Sequence, residues 1–121
     1  MKTWLIVGAF LAGLAVLLGA FGAHGLKSRV SSEDLEIFKT GVRYHMAHAI
    51  GLLLIGAIGF HLNHDLIHIP AYLLTAGIVI FSGSLYLLVL TNMRWLGAVT
   101  PIGGACFIAG WLLLAFNIYR S

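Results

Sequence analysis

Four apolar stretches, each about as long as the hydrocarbon core of a bilayer is thick, constrain this chain more than any other feature of its sequence. They cover residues 4–23, 42–60, 70–90 and 96–118. A helix rises about 1.5 Å per residue, so about 20 apolar residues cross the hydrocarbon. Because lipid offers no partner to an unpaired backbone group, each stretch is expected to be an α-helix. The sequence therefore predicts an integral membrane protein whose single transmembrane domain covers residues 1–121.

The polar residues are too few to cover a water-soluble domain. Of the 121 residues, 60% are hydrophobic and 9% are charged, whereas soluble domains carry about 25% charged residues. The single cysteine, Cys106, permits no internal disulfide. The composition thus excludes a water-soluble enzyme, a disordered segment and a disulfide-stapled scaffold. The net charge of +3 comes from so few groups that it indicates membrane orientation, and no nucleic-acid partner is expected.

The connections between the stretches predict the topology. Only the first connection contains a long hydrophilic segment, Lys27–Lys39. Within it, Ser31 followed by Asp34 has the spacing of a helix-capping box, and acids in a first helical turn interact favourably with the helix dipole. We expect a short interfacial helix over about residues 32–40, bent or continuous with the second span at Gly41. The other two connections are short, which predicts an all-α, up-down-up-down four-helix bundle.

The basic residues predict the orientation in the membrane. The first and third connections share one side and carry most of the Lys and Arg residues: Lys27, Arg29, Lys39, Arg43 and Arg94. Because cytoplasmic loops carry an excess of Lys and Arg, we expect these connections in the cytoplasm and both termini outside a plasma (inner) membrane. The first span has small residues near its end, as a cleaved signal peptide does. Its apolar region exceeds the usual length of about 7–15 residues, so we expect it to be retained.

Small residues recur every four positions in the first span, at Ala15, Gly19 and Ala23. Such a stripe lets transmembrane helices approach closely and gain van der Waals contact. It fits either packing inside the bundle or a seam between copies of the chain. Besides the lipid bilayer, the partners predicted are therefore a second copy, as a homo-oligomer, or another membrane protein.

Polar side chains from several spans fall at one depth when the spans are folded antiparallel. This candidate polar set consists of His24, Arg43, Tyr44, His45, His48, Ser82, Ser84, Tyr86 and Thr100. Ionisable groups are costly in lipid, so they usually face the bundle interior, a partner or a watery cavity. The set is expected to form either a pocket for a proton, a metal or a small polar ligand, or a group of hydrogen bonds that fixes the helix register.

Histidines in this set are candidate metal ligands. His45 and His48 are three residues apart and share a helical face. Together with His24 they offer imidazoles, which suit zinc, copper or iron. His24 with either of the other two also fits the opposite sides of a haem. The sequence singles out His24 and His48 as metal candidates, but no acidic or cysteine ligand lies near them, and no cofactor is expected.

A second histidine cluster lies in the connection between the second and third spans. It contains His61, His64, Asp65 and His68. The three imidazoles would align on one face of a helix. A short connection need not be helical, so no metal site is expected there.

Four strings of the sequence carry a resemblance to a known family. They are Gly19–Leu26, Tyr44–Ala49, Phe81–Tyr86 and Thr100–Gly104, the last followed by Ala109-Gly110-Trp111. With them, nearly the whole chain resembles the small membrane proteins of unknown function typified by bacterial YgdD and YwdK and by eukaryotic transmembrane protein 256. The resemblance implies a four-helix integral membrane protein with no established reaction.

The same resemblance ranks the histidines. The family motif carries a histidine at the positions of His24 and His48, whereas the position of His45 accepts another polar residue such as glutamine. The loop over residues 61–68 lies outside the motif. The resemblance therefore favours a site in the candidate polar set over one in the histidine loop.

Three functions follow as hypotheses. The first is a non-enzymatic structural or accessory protein that supports the envelope or a larger membrane complex, since the spans contain no phosphate loop, carboxylate pair or Ser-His-Asp constellation. The second is a small oligomeric transporter or channel-like protein that uses His24 and His48 as a proton or metal site. The third is a protein that binds anionic lipid headgroups through Arg29, Lys39 and Arg43.

Overall fold

The four apolar stretches are helices in the computed structural model, which describes residues 2–121. Within that range the chain forms α1 (Lys2–Leu26), α2 (Ser32–Ile58), α3 (His64–Thr91) and α4 (Arg94–Arg120), each long and apolar enough to cross a membrane. The helices extend past most of the apolar stretch boundaries, because polar residues at their ends continue the helix. The prediction of an all-α membrane protein with four spans is confirmed.

Helix α2 joins the predicted interfacial helix to the second span. Ser31 has extended backbone angles, and its hydroxyl oxygen accepts a hydrogen bond from the Asp34 N–H at 3.1 Å. Glu33 and Asp34 occupy the first turn, beside the positive end of the helix dipole. The predicted cap is confirmed, and the helix runs through Gly41 without a break.

Two of the helices contain a turn of π-helix. In α1 this turn covers Leu18–Gly22, and in α3 it covers Ile78–Ser82. A π-turn inserts into an α-helix, changes the phase of the residues that follow, and is frequent at functional sites. Simple counting at 3.6 residues per turn therefore misplaces side chains beyond each turn.

Short connections reverse the chain between successive helices. Asn92 takes the left-handed conformation (φ 58°) that commonly closes a helix, and it ends α3. Two residues later the 3₁₀ turn Arg94–Ala98 begins α4. Pro101 lies in the first turn of the regular part of α4, where its missing N–H leaves no helical bond unmade. We call the end of the bundle that carries the α1–α2 and α3–α4 connections the basic end.

Helices α2 and α3 are the two inner helices of the bundle. Helix α1 packs along α2, α3 packs on α2, and α4 packs on α3. Two apolar clusters fill the interior: a larger one that includes Leu52, Leu74 and Phe107, and a smaller one around Phe38 and Leu88 nearer the basic end. Along α2 and α3, the buried polar residues fall between these two clusters.

The small-residue stripe of α1 faces α2 of the same chain. Ala15 is fully buried and Ala23 nearly so. A Cβ added to Gly19 would lie 3.0 Å from a methyl group of Val42. The stripe therefore serves close packing within the bundle. The opposite face of α1 presents large apolar side chains outward, such as Phe10 at 67% exposure, as a lipid-facing surface requires.

Candidate functional site

The side chain of a buried serine in α3 bonds to the backbone of α2. Ser82, at the end of the π-turn, is fully buried, and its hydroxyl donates to the Gly41 carbonyl at 2.6 Å. The carbonyl has two lone pairs, so it accepts this bond as well as its helical bond. Gly41 is needed here because a Cβ at this position would lie 2.9 Å from the ring of Tyr86.

The same two helices are joined by a tyrosine and a histidine. The Tyr86 hydroxyl and Nδ1 of His45 lie 2.8 Å apart and share a hydrogen bond. His45 is almost completely buried, and its other ring nitrogen, Nε2, has no hydrogen-bond partner within residues 2–121. Buried polar atoms are nearly always bonded, so Nε2 of His45 is the unusual atom of this region.

His48, one turn deeper, is held by stacking and by its own helix. Its Nδ1 donates to the Tyr44 carbonyl at 2.7 Å. A carbonyl only accepts, so Nδ1 carries the proton, and the neutral ring therefore keeps a free lone pair on Nε2. The imidazole stacks on Phe107 of α4, with ring centroids 3.6 Å apart and planes 11° from parallel. This contact ties α2 to α4.

Two hydroxyls join α3 to α4. The Ser84 and Thr100 hydroxyl oxygens lie 2.5 Å apart. Ser84 also reaches the Phe81 carbonyl at 2.8 Å, and Thr100 reaches the Leu96 carbonyl at 3.3 Å. Each hydroxyl has one proton, so one of them donates to the other and the second donates to its carbonyl.

We call these hydrogen-bonded residues the polar layer: Gly41, His45, His48, Ser82, Ser84, Tyr86 and Thr100. Six of them belong to the candidate polar set from the sequence, and the structure brings these six into contacts between helices. Gly41 and the stacking partner Phe107 were missed. A backbone carbonyl carries no signature in the sequence, and a phenylalanine in an apolar span is unremarkable.

Three members of the candidate polar set lie outside the polar layer. Tyr44 is 45% exposed and contributes its carbonyl, while its ring contacts Phe81. Arg43 is exposed and pairs with Glu36 at 3.4 Å. Together with His48, Arg43 and Tyr44 line a shallow outer groove of about 230 Å³.

His24 is exposed near the end of α1 and is not brought to His48. A Cβ at Gly22 would touch Phe38, which places this end of α1 beside the start of α2. His48 follows Phe38 by ten residues, or about 15 Å along the helix at 1.5 Å per residue. Among residues 2–121, no group of three or more His, Cys, Asp or Glu side chains is placed to hold a metal ion.

The histidine cluster of the second connection has a packing contact instead. The Trp4 indole N–H donates to Nδ1 of His68 at 3.1 Å, and the Trp4 ring meets Tyr72 edge-on at 4.9 Å between centroids. Nearby, the Asn117 side-chain amide donates to the Leu66 carbonyl at 2.9 Å. These bonds fasten α1 and α4 to the start of α3 at the end opposite the basic end.

An ion pair closes the basic end. The Arg94 guanidinium donates to both oxygens of Asp34, at 2.9 and 2.8 Å, and so joins the start of α4 to the interfacial turn of α2. The hydrogen bonds from Arg94 hold the pKa of the Asp34 carboxyl below its ordinary value. Lys39 and Arg43 both lie beside Glu36, at 3.8 and 3.4 Å.

The architecture defines the class of protein. Four apolar helices that reach across a membrane, three of which (α2, α3 and α4) are joined at one depth by side-chain hydrogen bonds, make a small polytopic α-helical membrane protein. The comparison with known proteins narrows this class to one family. Residues 18–104 match the family described as "Protein of unknown function (DUF423)", an interval that contains the whole polar layer.

Curated relatives agree over nearly the full length. The chain is 46% identical over 115 residues to the UPF0382 membrane protein YwdK of Bacillus subtilis, which covers 94% of each protein. It is 44% identical over 120 residues to a UPF0382 membrane protein of Staphylococcus haemolyticus, covering 99% of this chain and 98% of the relative. The chain belongs to this uncharacterised membrane protein family, which confirms the resemblance found in the sequence. No solved structure matches it.

Proposed function

We propose that this protein is a non-enzymatic structural or accessory component of the plasma membrane, and that the polar layer fixes the packing of its helices. The observation that carries the proposal is that the hydrogen bonds of the polar layer are made to other groups of the same protein. Ser82 bonds to a main-chain carbonyl, and Ser84 bonds to Thr100. His45 bonds to Tyr86. A substrate that bound the hydroxyls of Ser82, Ser84 or Tyr86 would have to displace these internal partners first.

The positions of the acids support a non-enzymatic role. The sequence has four carboxylates, Glu33, Asp34, Glu36 and Asp65, and all of them lie at helix ends. General acid–base chemistry in the membrane interior would therefore have no carboxylate and would depend on the two buried imidazoles, the Tyr86 hydroxyl and Cys106. The connections are short, so little of the chain is outside the membrane to form a separate catalytic unit.

The orientation is part of the proposal. The basic end carries Lys27, Arg29, Lys39, Arg43 and Arg94. Cytoplasmic loops are enriched in Lys and Arg, so we place the basic end in the cytoplasm and both termini outside.

A genetic experiment tests the structural role. A Bacillus subtilis strain without YwdK would be complemented with this chain, and uptake of a membrane-impermeant dye would be measured. The Ser84→Ala/Thr100→Val double variant removes the hydroxyl bonds between α3 and α4 but leaves the other contacts of the polar layer. We expect it to fold and to complement. The control, Gly77→Ala, places a Cβ into the ring of Phe107 and should lose both folded protein and complementation. A variant that is folded and abundant yet inactive would oppose the proposal.

One observation favours a second candidate, an oligomeric transporter or channel-like protein. The buried Nε2 of His45 has no well-formed hydrogen bond within residues 2–121, and a water molecule, an ion or a polar ligand would supply a partner. Because His24 lies apart, such a site would consist of His45 and His48. Purified protein in liposomes that hold a pH-sensitive dye distinguishes the two functions. The structural function predicts no proton leak above empty liposomes, whereas the transporter predicts a leak that His48→Ala abolishes.

A further inference from the structure

An apolar groove opens on the outer surface at the basic end. It holds about 410 Å³ and lies where the π-turn and last turn of α1 meet α2 and α3. Its walls are carbon-rich side chains, Leu18, Phe21, Leu26, Phe38 and Leu90, and Arg29 stands among them as the charged lining residue.

Two glycines make the groove. Gly22 and Gly25 form part of its lining. A Cβ at Gly25 would meet no atom within 4 Å, so the space above this residue is open. A Cβ at Gly22 would touch the Phe38 ring at 3.1 Å, so this glycine lets α1 lie close to α2. Because the space at position 25 is open, we expect a larger side chain there to fill the groove.

The charge at the groove is unbalanced. Among the basic residues of this end, Arg94 is paired with Asp34, and Lys39 and Arg43 share Glu36. Arg29 makes no salt bridge within residues 2–121, and no carboxylate lines the groove. A guanidinium suits a phosphate, to which it donates two parallel hydrogen bonds.

We propose that this groove binds one anionic phospholipid of the leaflet at the basic end. An acyl chain lies along the apolar walls, and the headgroup phosphate contacts Arg29. The sequence groups Arg29 with Lys39 and Arg43 as headgroup candidates. Only Arg29 lines this groove, and the other two pair with Glu36. This inference concerns a ligand and does not depend on the structural role proposed above.

Native mass spectrometry of the purified chain in detergent tests the site. Phosphatidylglycerol and phosphatidylcholine of the same acyl length would be titrated against the wild type, Arg29→Gln and Gly25→Leu. Because a cation near a membrane surface contributes about 1 kcal/mol, we expect Arg29→Gln to weaken phosphatidylglycerol binding about fivefold. Binding of phosphatidylcholine should weaken less, because its choline cation offsets the charge of its phosphate. Gly25→Leu should weaken both lipids, because it fills the groove.

Two matched controls separate a built site from general attraction. Lys27→Gln removes an exposed cation that does not line the groove. Gly13→Leu adds the same side chain at another open, outward-facing glycine of α1. Both controls should bind like the wild type. Equal losses in Lys27→Gln and Arg29→Gln, or unchanged binding in Gly25→Leu, would overturn the proposal. Arg29→Gln alters an exposed residue, so it tests the site even if Gly25→Leu fails to fold.

Discussion

Two neighbouring glycines at the start of α4 are expected to respond in opposite ways to the same substitution. A Cβ at Gly103 would lie 2.7 Å from Phe81 Cα, and closer still to the Phe81 nitrogen, so the backbones of α3 and α4 would have to separate. At Gly104 the nearest atom to an added Cβ is on the Phe81 ring, at 3.8 Å, which is ordinary contact.

The magnitudes follow from two opposing effects. Replacing glycine by alanine in a helix gains up to about 1 kcal/mol. Overpacking costs about 1–3 kcal/mol, and more where backbone rather than a side chain must move. We therefore expect Gly103→Ala to lower the free energy of unfolding by about 2 kcal/mol, and Gly104→Ala to leave it unchanged or raise it slightly.

Unfolding in mixed detergent micelles, followed by circular dichroism as sodium dodecyl sulfate is added, measures this difference. Both variants replace a glycine by alanine, at adjacent positions of the same helix, so the effects of detergent cancel between them. Equal stabilities for Gly103→Ala and Gly104→Ala would refute the close approach of α3 and α4. A less stable Gly104→Ala would do the same.

Three further predictions concern the layer, the basic end and the orientation. In a double-mutant cycle on Ser84→Ala and Thr100→Val, the same unfolding assay should give a coupling free energy of about 0.5–1.5 kcal/mol between the two side chains. A coupling free energy of zero would contradict a hydrogen bond between them. The pKa of Asp34 is lower in the folded protein, so its ion pair stabilises the protein above the ordinary pKa of about 3.9, and this stabilisation is lost as the pH falls below that value. The melting temperature should therefore drop more between pH 6 and 3 in the wild type than in Asp34→Asn. Parallel drops would contradict this. In a cysteine-free background, an impermeant maleimide added to cells should label Ser121→Cys but not Ser28→Cys, and the reverse pattern would invert the orientation.

Most of the architecture could be predicted because it depends on length and composition. About 20 apolar residues fix each span, and short connections fix antiparallel neighbours. Depth follows from a constant rise per residue, so the sequence alone predicts a similar level for His45, His48, Ser82 and Thr100. The cap at Ser31 was predicted because its side chain bonds locally.

Rotation about each helix axis could not be predicted. The π-turn in α1 changes the phase of the residues after it. His24, which follows that turn, is exposed and lies beside the start of α2, about 15 Å along the helix from His48, so its depth also differs from the prediction. The partners of the polar side chains were also hidden. Ser82 bonds to the carbonyl of Gly41 and His48 stacks on Phe107, and neither partner differs in type from many residues around it.

The state of His48 in a lipid bilayer tests the central claim, that the side chains of the polar layer bond within the protein and exclude water. Solid-state nuclear magnetic resonance of protein with ¹⁵N-labelled histidine reports the tautomer of each ring and its magnetisation transfer from water. The account predicts a neutral His48 protonated at Nδ1, as its bond to the Tyr44 carbonyl requires, with no transfer from water. A His48 protonated at Nε2, or one in rapid contact with water, would contradict it.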